Sequence, residues 1–313
     1  MSQKSKSQLP RLPNFILVGA PKCGTTALAH YLRAHPQVYF SDPKEPYFFC
    51  DDFSNLRNRF GVGDWMGYCR LFNSAKDAHV AVGEGSTLYL ASDVAIRNIR
   101  ARLPDAKLIA VVRDPVSLVR SFHRHLLKIE QEDQFDLRVA WQLQGSRRQG
   151  ARLPRNNTVP ELLQYRRIAS IGSQLARFCE AVSPDRRLIV RYEQFQVDPL
   201  SVYMSVQQFL GVTPDGRQSF ERINEAGAPR SRLAARALHS RGVGLLLRAG
   251  KKAVPSRYRL TMASAKERLF FTRKVAAIVD DEALDLVATD LREERQLLSD
   301  VLRSCGGQAS TVQ

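Results

Sequence analysis

Long apolar runs are missing from this chain of 313 residues. Nothing in it approaches the roughly 18 to 20 consecutive apolar residues that a membrane span requires. Residues 1–13 are polar and basic and lack the apolar stretch of a secretory signal, so a cytoplasmic location is the expectation. Cysteine is scarce. The five residues Cys23, Cys50, Cys69, Cys179 and Cys305 are odd in number and form no C-x-x-C pair, which argues against a disulfide framework and a zinc site and for reduced thiols. No carboxylate cluster carries metal-ligand spacing, so no metal is expected. Acid is short relative to base: 31 Asp and Glu stand against 47 Lys and Arg, a formal net charge of +16. No internal repeat is visible.

The surplus of base is concentrated. Between Gly216 and Lys274 there are fifteen Lys and Arg against three Glu. Such a block attracts nucleic acid, anionic membrane, acidic glycan or a polyanionic cofactor alike, because charge-driven capture does not discriminate among them. A solvated basic surface is the plain alternative. None of the recognised groove-reading or base-stacking motifs is present, so nucleic acid is not the expected partner. Within the block, Leu233 to Val254 reads as a basic amphipathic stretch able to lie against anionic lipid.

With 44% hydrophobic and 25% charged residues the composition is that of an ordinary globular protein. Runs rich in Val, Ile and Leu at Phe15 to Val18, Val80 to Val82, Leu108 to Val112 and Leu188 to Val190 alternate with helical patterns. That alternation predicts an α/β fold with a central parallel sheet flanked by helices in three layers. An extra strand at Val38 to Phe40 fits between the first two. Asp114-Pro115 supplies an N-cap and an N1 proline for a helix to about Ile129, and Asp198-Pro199 does the same for Leu200 to Leu210. Residues 145–160 read as a surface loop and Glu282 to Leu302 as one amphipathic helix. The expected organisation is a basic tail over 1–13, one domain over 14–304 and a short tail over 305–313.

The chemistry concentrates in Gly19-Ala20-Pro21-Lys22-Cys23-Gly24-Thr25-Thr26, which follows the first strand and opens a helix. Its two glycines have the spacing of the G-x-x-x-x-G-K-[ST] phosphate loop, and free N–H groups at the helix start suit a phosphate. Here Thr25 stands where a nucleotide kinase or NTPase has its lysine, and the lysine is Lys22, inside the turn. That departure weighs against the kinase reading, although Val111 to Asp114 could pass for a strand ending in a magnesium-binding Asp.

Taken with Val111-Val112-Arg113-Asp114-Pro115 and Ser121, the loop resembles that of the sulfotransferases that use 3′-phosphoadenosine 5′-phosphosulfate (PAPS). Lys44-Glu45-Pro46-Tyr47-Phe48-Phe49, Val82-Gly83-Glu84-Gly85-Ser86-Thr87-Leu88-Tyr89, Arg191-Tyr192-Glu193 and Phe209-Leu210-Gly211 are similar to landmarks of the carbohydrate sulfotransferases. The likeness runs from about Phe15 to Gly211.

The resemblance implies a P-loop-like fold, with Lys22, Cys23, Gly24, Thr25 and Thr26 around the 5′-phosphosulfate and Arg113 and Ser121 on the 3′-phosphate. It also implies a lid arginine in the basic block, Arg230 or Arg232, and an acceptor that is a carbohydrate, glycolipid or other small molecule. Sulfuryl transfer leaves 3′-phosphoadenosine 5′-phosphate (PAP), so negative charge grows on the leaving oxygen, where Lys22 can meet it. The acceptor must lose a proton. Glu45 is the first candidate base, Glu84 the reserve, and a histidine the third possibility.

Overall fold

The structure is a computed structural model that describes residues 11–57, 62–221, 228–229, 271–272 and 281–305. In chain order the elements are β1 (Phe15–Gly19), α1 (Thr25–Arg33), β2 (Val38–Phe40), α2 (Ser54–Arg57), α3 (Trp65–Arg70), β3 (Ala81–Gly85), α4 (Ala95–Arg102) and β4 (Lys107–Val112). Then follow α5 (Pro115–Lys128), α6 (Leu137–Gln142), α7 (Gln144–Arg148), α8 (Tyr165–Ala169), α9 (Ile171–Ala181), β5 (Arg187–Arg191), α10 (Tyr192–Val197) and α11 (Pro199–Leu210). A two-stranded antiparallel pair, β6 (Ala228–Pro229) and β7 (Phe271–Thr272), precedes α12 (Asp281–Asp290) and α13 (Arg292–Cys305). Among the described residues no helix is long and apolar enough to cross a membrane.

Five strands form one parallel sheet in the order β2-β3-β1-β4-β5, with Phe15 opposite both Gly83 and Lys107. This is the expected α/β architecture. Every residue of β1 is buried, as is β4 from Leu108 onward, which is why these parallel strands read as unbroken apolar runs. Strand β3 runs to Gly85 rather than ending at Val82. Its second half is Gly83-Glu84-Gly85, which carries no apolar signal. A Cβ on Gly83 would stand 2.4 Å from the Phe15 carbonyl oxygen, so only glycine lets β1 and β3 approach this closely.

Helix α5 starts where its cap predicts: Asp114 Oδ1 accepts the Ser117 N–H at 2.9 Å, and Leu118, Val119, Phe122 and Leu126 turn inward. Asp198 likewise accepts the Ser201 N–H at the head of α11. Two readings need correction. The expected surface loop at 145–160 begins with the last turns of α7 and ends in a 3₁₀ turn at Pro160–Leu163. The expected single helix over 282–302 is two, α12 and α13, broken at the fully buried Leu291. Helix α12 packs on α6, whereas α13 packs on α9, and one straight helix cannot serve both.

The described residues fall into two compact units. One, formed by residues 11–118, 166–221 and 291–305, holds the five-stranded sheet. The other contains 119–165 and 281–290 together with β6 and β7. Its interior holds a fully buried ion pair in which Arg147 grips Glu132 through two bonds of 2.6 and 2.7 Å. Tyr165 donates a third bond to Glu132, at 2.6 Å.

Candidate active site

Strand β1 lies between β3 and β4; the chain leaves β1 toward β2 on one side, while β3 connects across it to β4 on the other. The carboxyl ends of strands at such a reversal form the crevice where open α/β sheets take ligands. The glycine turn sits there. Ala20 N–H donates to the Val111 carbonyl at 2.6 Å, fastening the turn to β4. Gly19, at φ +149°, presses so close to the next loop that a Cβ would stand 2.7 Å from the Thr87 carbonyl oxygen. Gly24, at φ +82°, is the N-cap of α1 and lies against Tyr192 and Phe195. No side chain caps α1 and its first turn holds no acid, so its leading N–H groups are open to an anion.

Lys22 occupies the turn at φ +62°, a left-handed conformation that costs a side-chain-bearing residue about 1 kcal/mol. Its carbonyl accepts a hydrogen bond from Arg113 Nη1 at 3.1 Å. The Arg113 guanidinium lies over the Tyr192 ring, 4.5 Å from its centroid, and pairs with no carboxylate of the described residues. A flat cation clamped this way keeps donors to spare for a phosphate. Arg113 therefore turns toward the loop. Behind it, Asp114 accepts from Arg295 of α13 at 3.0 Å, and its own N–H donates to Glu193.

The loop after β2 carries Glu45, the first candidate base. Glu45 and Tyr47 have φ of +66° and +52°, so three of the five non-glycine residues of positive φ among the described residues are Lys22, Glu45 and Tyr47. Strain of this kind gathers where side chains must be aimed. One Glu45 carboxylate oxygen pairs with Lys44 Nζ and the other accepts from the Tyr47 hydroxyl. That hydroxyl stands 3.3 Å from Thr87 Oγ1, on the same residue whose carbonyl meets Gly19. The loops after β1, β2 and β3 thus interlock at one edge of the sheet. The Glu45 side chain stays 27% exposed and so can be reached from solvent.

Glu84 is wholly buried. Burial pushes its carboxyl up to about 7, against the pull of the Tyr89, Ser86 and Tyr68 hydroxyls. It accepts from Ser86 at 2.9 Å, and Ser86 in turn accepts the Tyr47 N–H at 3.0 Å. Glu84 is a support for the Glu45 loop. Of the histidines, His35 and His123 are buried and tied to the carbonyls of Thr213 and Gln134, and burial pulls His123 down. Among the described residues no group of His, Cys, Asp and Glu could hold a metal.

Of the other expected site residues, Thr25 is buried and Thr26 exposed at the start of α1. The buried Cys23 thiol points at the Pro21 carbonyl and burial drives its pKa upward, so Cys23 offers the site its backbone only. Ser121 is half-buried on α5 and belongs to the second unit. Arg230, Arg232 and the amphipathic stretch 233–254 lie outside the described residues. Sequence reasoning missed the parts played by Tyr192, which backs Arg113, and by Thr87, which meets both Gly19 and Tyr47. The signal for each was its place just beyond a strand end next to β1 or β4.

Residues 12–226 match the family model described as a sulfotransferase domain. The chain is 30% identical over 207 residues to human bifunctional heparan sulfate N-deacetylase/N-sulfotransferase 3, covering 65% of this chain and 23% of that protein. It therefore spans about a quarter of the length of this relative. Over 119 residues it is 31% identical to membrane-associated sulfotransferase kil1 of Dictyostelium discoideum, covering 38% of this chain and 24% of that protein. Among solved structures, a sulfotransferase from Alicyclobacillus acidocaldarius superposes with a TM-score of 0.61 at 28% identity, over 68% of this chain and 87% of that one.

Proposed function

Because this chain belongs to the sulfotransferase family, we propose that it transfers a sulfuryl group from PAPS to a hydroxyl or amine of a carbohydrate or glycoconjugate, releasing PAP. A heparan sulfate N-sulfotransferase among its relatives supports the acceptor class. In this reading the open N–H groups at the head of α1 hold the 5′-phosphosulfate, and Arg113 takes the 3′-phosphate. The family resemblance adds Ser121 to the latter. We place the reaction in the cytoplasm, and assign no metal to it.

The single observation that carries this reading is the bond from Arg113 to the Lys22 carbonyl. It brings the guanidinium of Arg113 onto the turn that carries Lys22, although the two residues are remote in sequence. Lys22 supplies positive charge where the leaving oxygen gains negative charge, and the protein's fixed donors need no rearrangement to do so. Glu45, aimed by Tyr47 and balanced by Lys44, accepts the proton that the acceptor hydroxyl or amine loses.

Thermal unfolding with added nucleotide tests this directly, because a ligand that binds only the folded state raises the melting temperature. PAP should raise it for the wild type and scarcely at all for Arg113→Ala. Stabilisation by ATP with magnesium and none by PAP would overturn the assignment in favour of a nucleotide kinase. Labelled PAPS offered to a cell extract would then identify the acceptor.

A further inference from the structure

We propose that Cys179 and Cys305 are a disulfide-forming pair that fastens the C-terminal helix α13 to α9. Three of the five cysteines, Cys23, Cys50 and Cys69, are buried, whereas these two are half-buried and free. Helices α9 and α13 make the most extensive helix–helix contact among the described residues. They meet backbone to backbone at Gly172, where a Cβ would stand 2.4 Å from the Glu294 carbonyl oxygen and 2.8 Å from the Leu298 nitrogen. Next to that contact, Glu294 accepts both the N–H and the hydroxyl of Ser173.

From Gly172 to Cys179, and from Leu298 to Cys305, is the same number of residues: one heptad, or about two helical turns. Each cysteine therefore returns to the face its helix presents at the glycine contact, and the two helices run parallel. The Cys305 thiol is near enough to Cys179 to raise its pKa. Arg187 donates to the Cys179 carbonyl at 2.5 Å and holds the end of α9 in place.

The chemistry needs an oxidant, and a low-molecular-weight disulfide such as oxidised glutathione suffices. Burial and the neighbouring thiol push Cys179 up to about 12, so it is the poorer first attacker. Cys305, at the end of α13, opens the reaction: its sulfur attacks one sulfur of the reagent, and its proton leaves with the displaced glutathione thiol. The Cys179 sulfur then attacks Cys305 Sγ in the mixed disulfide, and its proton leaves with the second glutathione. Two cysteine thiols are oxidised and one glutathione disulfide is reduced to two thiols.

The product closes a long loop and ties down the helix that carries Arg295, the partner of Asp114. This inference does not depend on the assignment of PAPS.

The full chain, purified reduced, is incubated with oxidised glutathione and examined by intact mass and by peptide mapping without reductant. The expected product has lost two hydrogens, yields a linked Cys179–Cys305 peptide and melts about 5 °C higher, a gain that dithiothreitol reverses. Cys305→Ser should take up no cross-link and show no gain. Glutathione left standing on either cysteine without the cross-link, a link between two copies of the chain, or no reaction at this pair would each overturn the proposal.

Discussion

The Tyr47 hydroxyl donates to the Glu45 carboxylate from within a buried ring that also reaches Thr87 Oγ1 at 3.3 Å. Both residues hold positive φ, so the backbone strain of the loop is spent on setting this one pair. A hydrogen bond to a charged group is worth about 1.5–3 kcal/mol, which corresponds to roughly tenfold or more in rate if it serves only to aim the base. Tyr47→Phe should therefore lower kcat about tenfold and the melting temperature by a few degrees while leaving the KM for PAPS nearly unchanged. Steady-state kinetics with a thermal scan would decide it; an unaltered kcat would remove Tyr47 from the site.

Lys22 is expected to act on the transition state more than on binding. Lys22→Met should reduce kcat about 10²-fold or more, the usual cost of removing one fixed charge-stabilising donor. The PAP dissociation constant, read by calorimetry, should change only a few-fold, because the α1 N–H groups and Arg113 remain. A large loss of PAP affinity with kcat preserved would assign Lys22 to nucleotide binding alone.

Glu84 makes stability depend on pH in an unusual direction. Its carboxyl titrates near 7 in the fold and near 4.5 in the unfolded chain, because burial penalises the charged form. Between those values the folded state binds more protons, so stability falls as pH rises from about 4.5 to 7 and levels off above that window. The full difference amounts to roughly 3 kcal/mol. Glu84→Gln should lack this slope and gain on the wild type at pH 8 relative to pH 5. Urea unfolding at the two pH values measures it, and parallel slopes in both proteins would refute the assignment.

Arg147 and Glu132 should behave as a unit. Arg147→Met leaves a buried carboxylate whose charge only Tyr165 and two N–H groups still meet, and should cost about 3–5 kcal/mol. Adding Glu132→Gln removes the stranded charge and should restore at least half of that loss. Denaturant unfolding of both single variants and the double variant forms the cycle; additive losses would show that the two side chains are not coupled.

The strands with unbroken apolar runs were legible because a parallel strand buried on both faces leaves a plain hydrophobic signature, as at Phe15 to Val18 and Leu108 to Val112. The second half of β3 was hidden because Gly83 and Gly85 serve close backbone approach and Glu84 is a buried acid. The break at Leu291 was also hidden. Heptad-like apolar spacing continues across it, and only the change of packing partner from α6 to α9 ends one helix and begins the next.

Local order along the chain fixed the glycine turn and the caps of α5 and α11, because each rests on neighbours within a few residues; the family resemblance singled out Lys22, Arg113 and Glu45 as candidates. Only the folded chain decided that Arg113 turns onto the Lys22 carbonyl, that Tyr192 backs it, that Tyr47 aims Glu45 and that Glu84 is sealed beneath them. Those contacts join residues on different strands and loops, and whether such side chains converge depends on sheet order and register, which no short stretch of sequence contains.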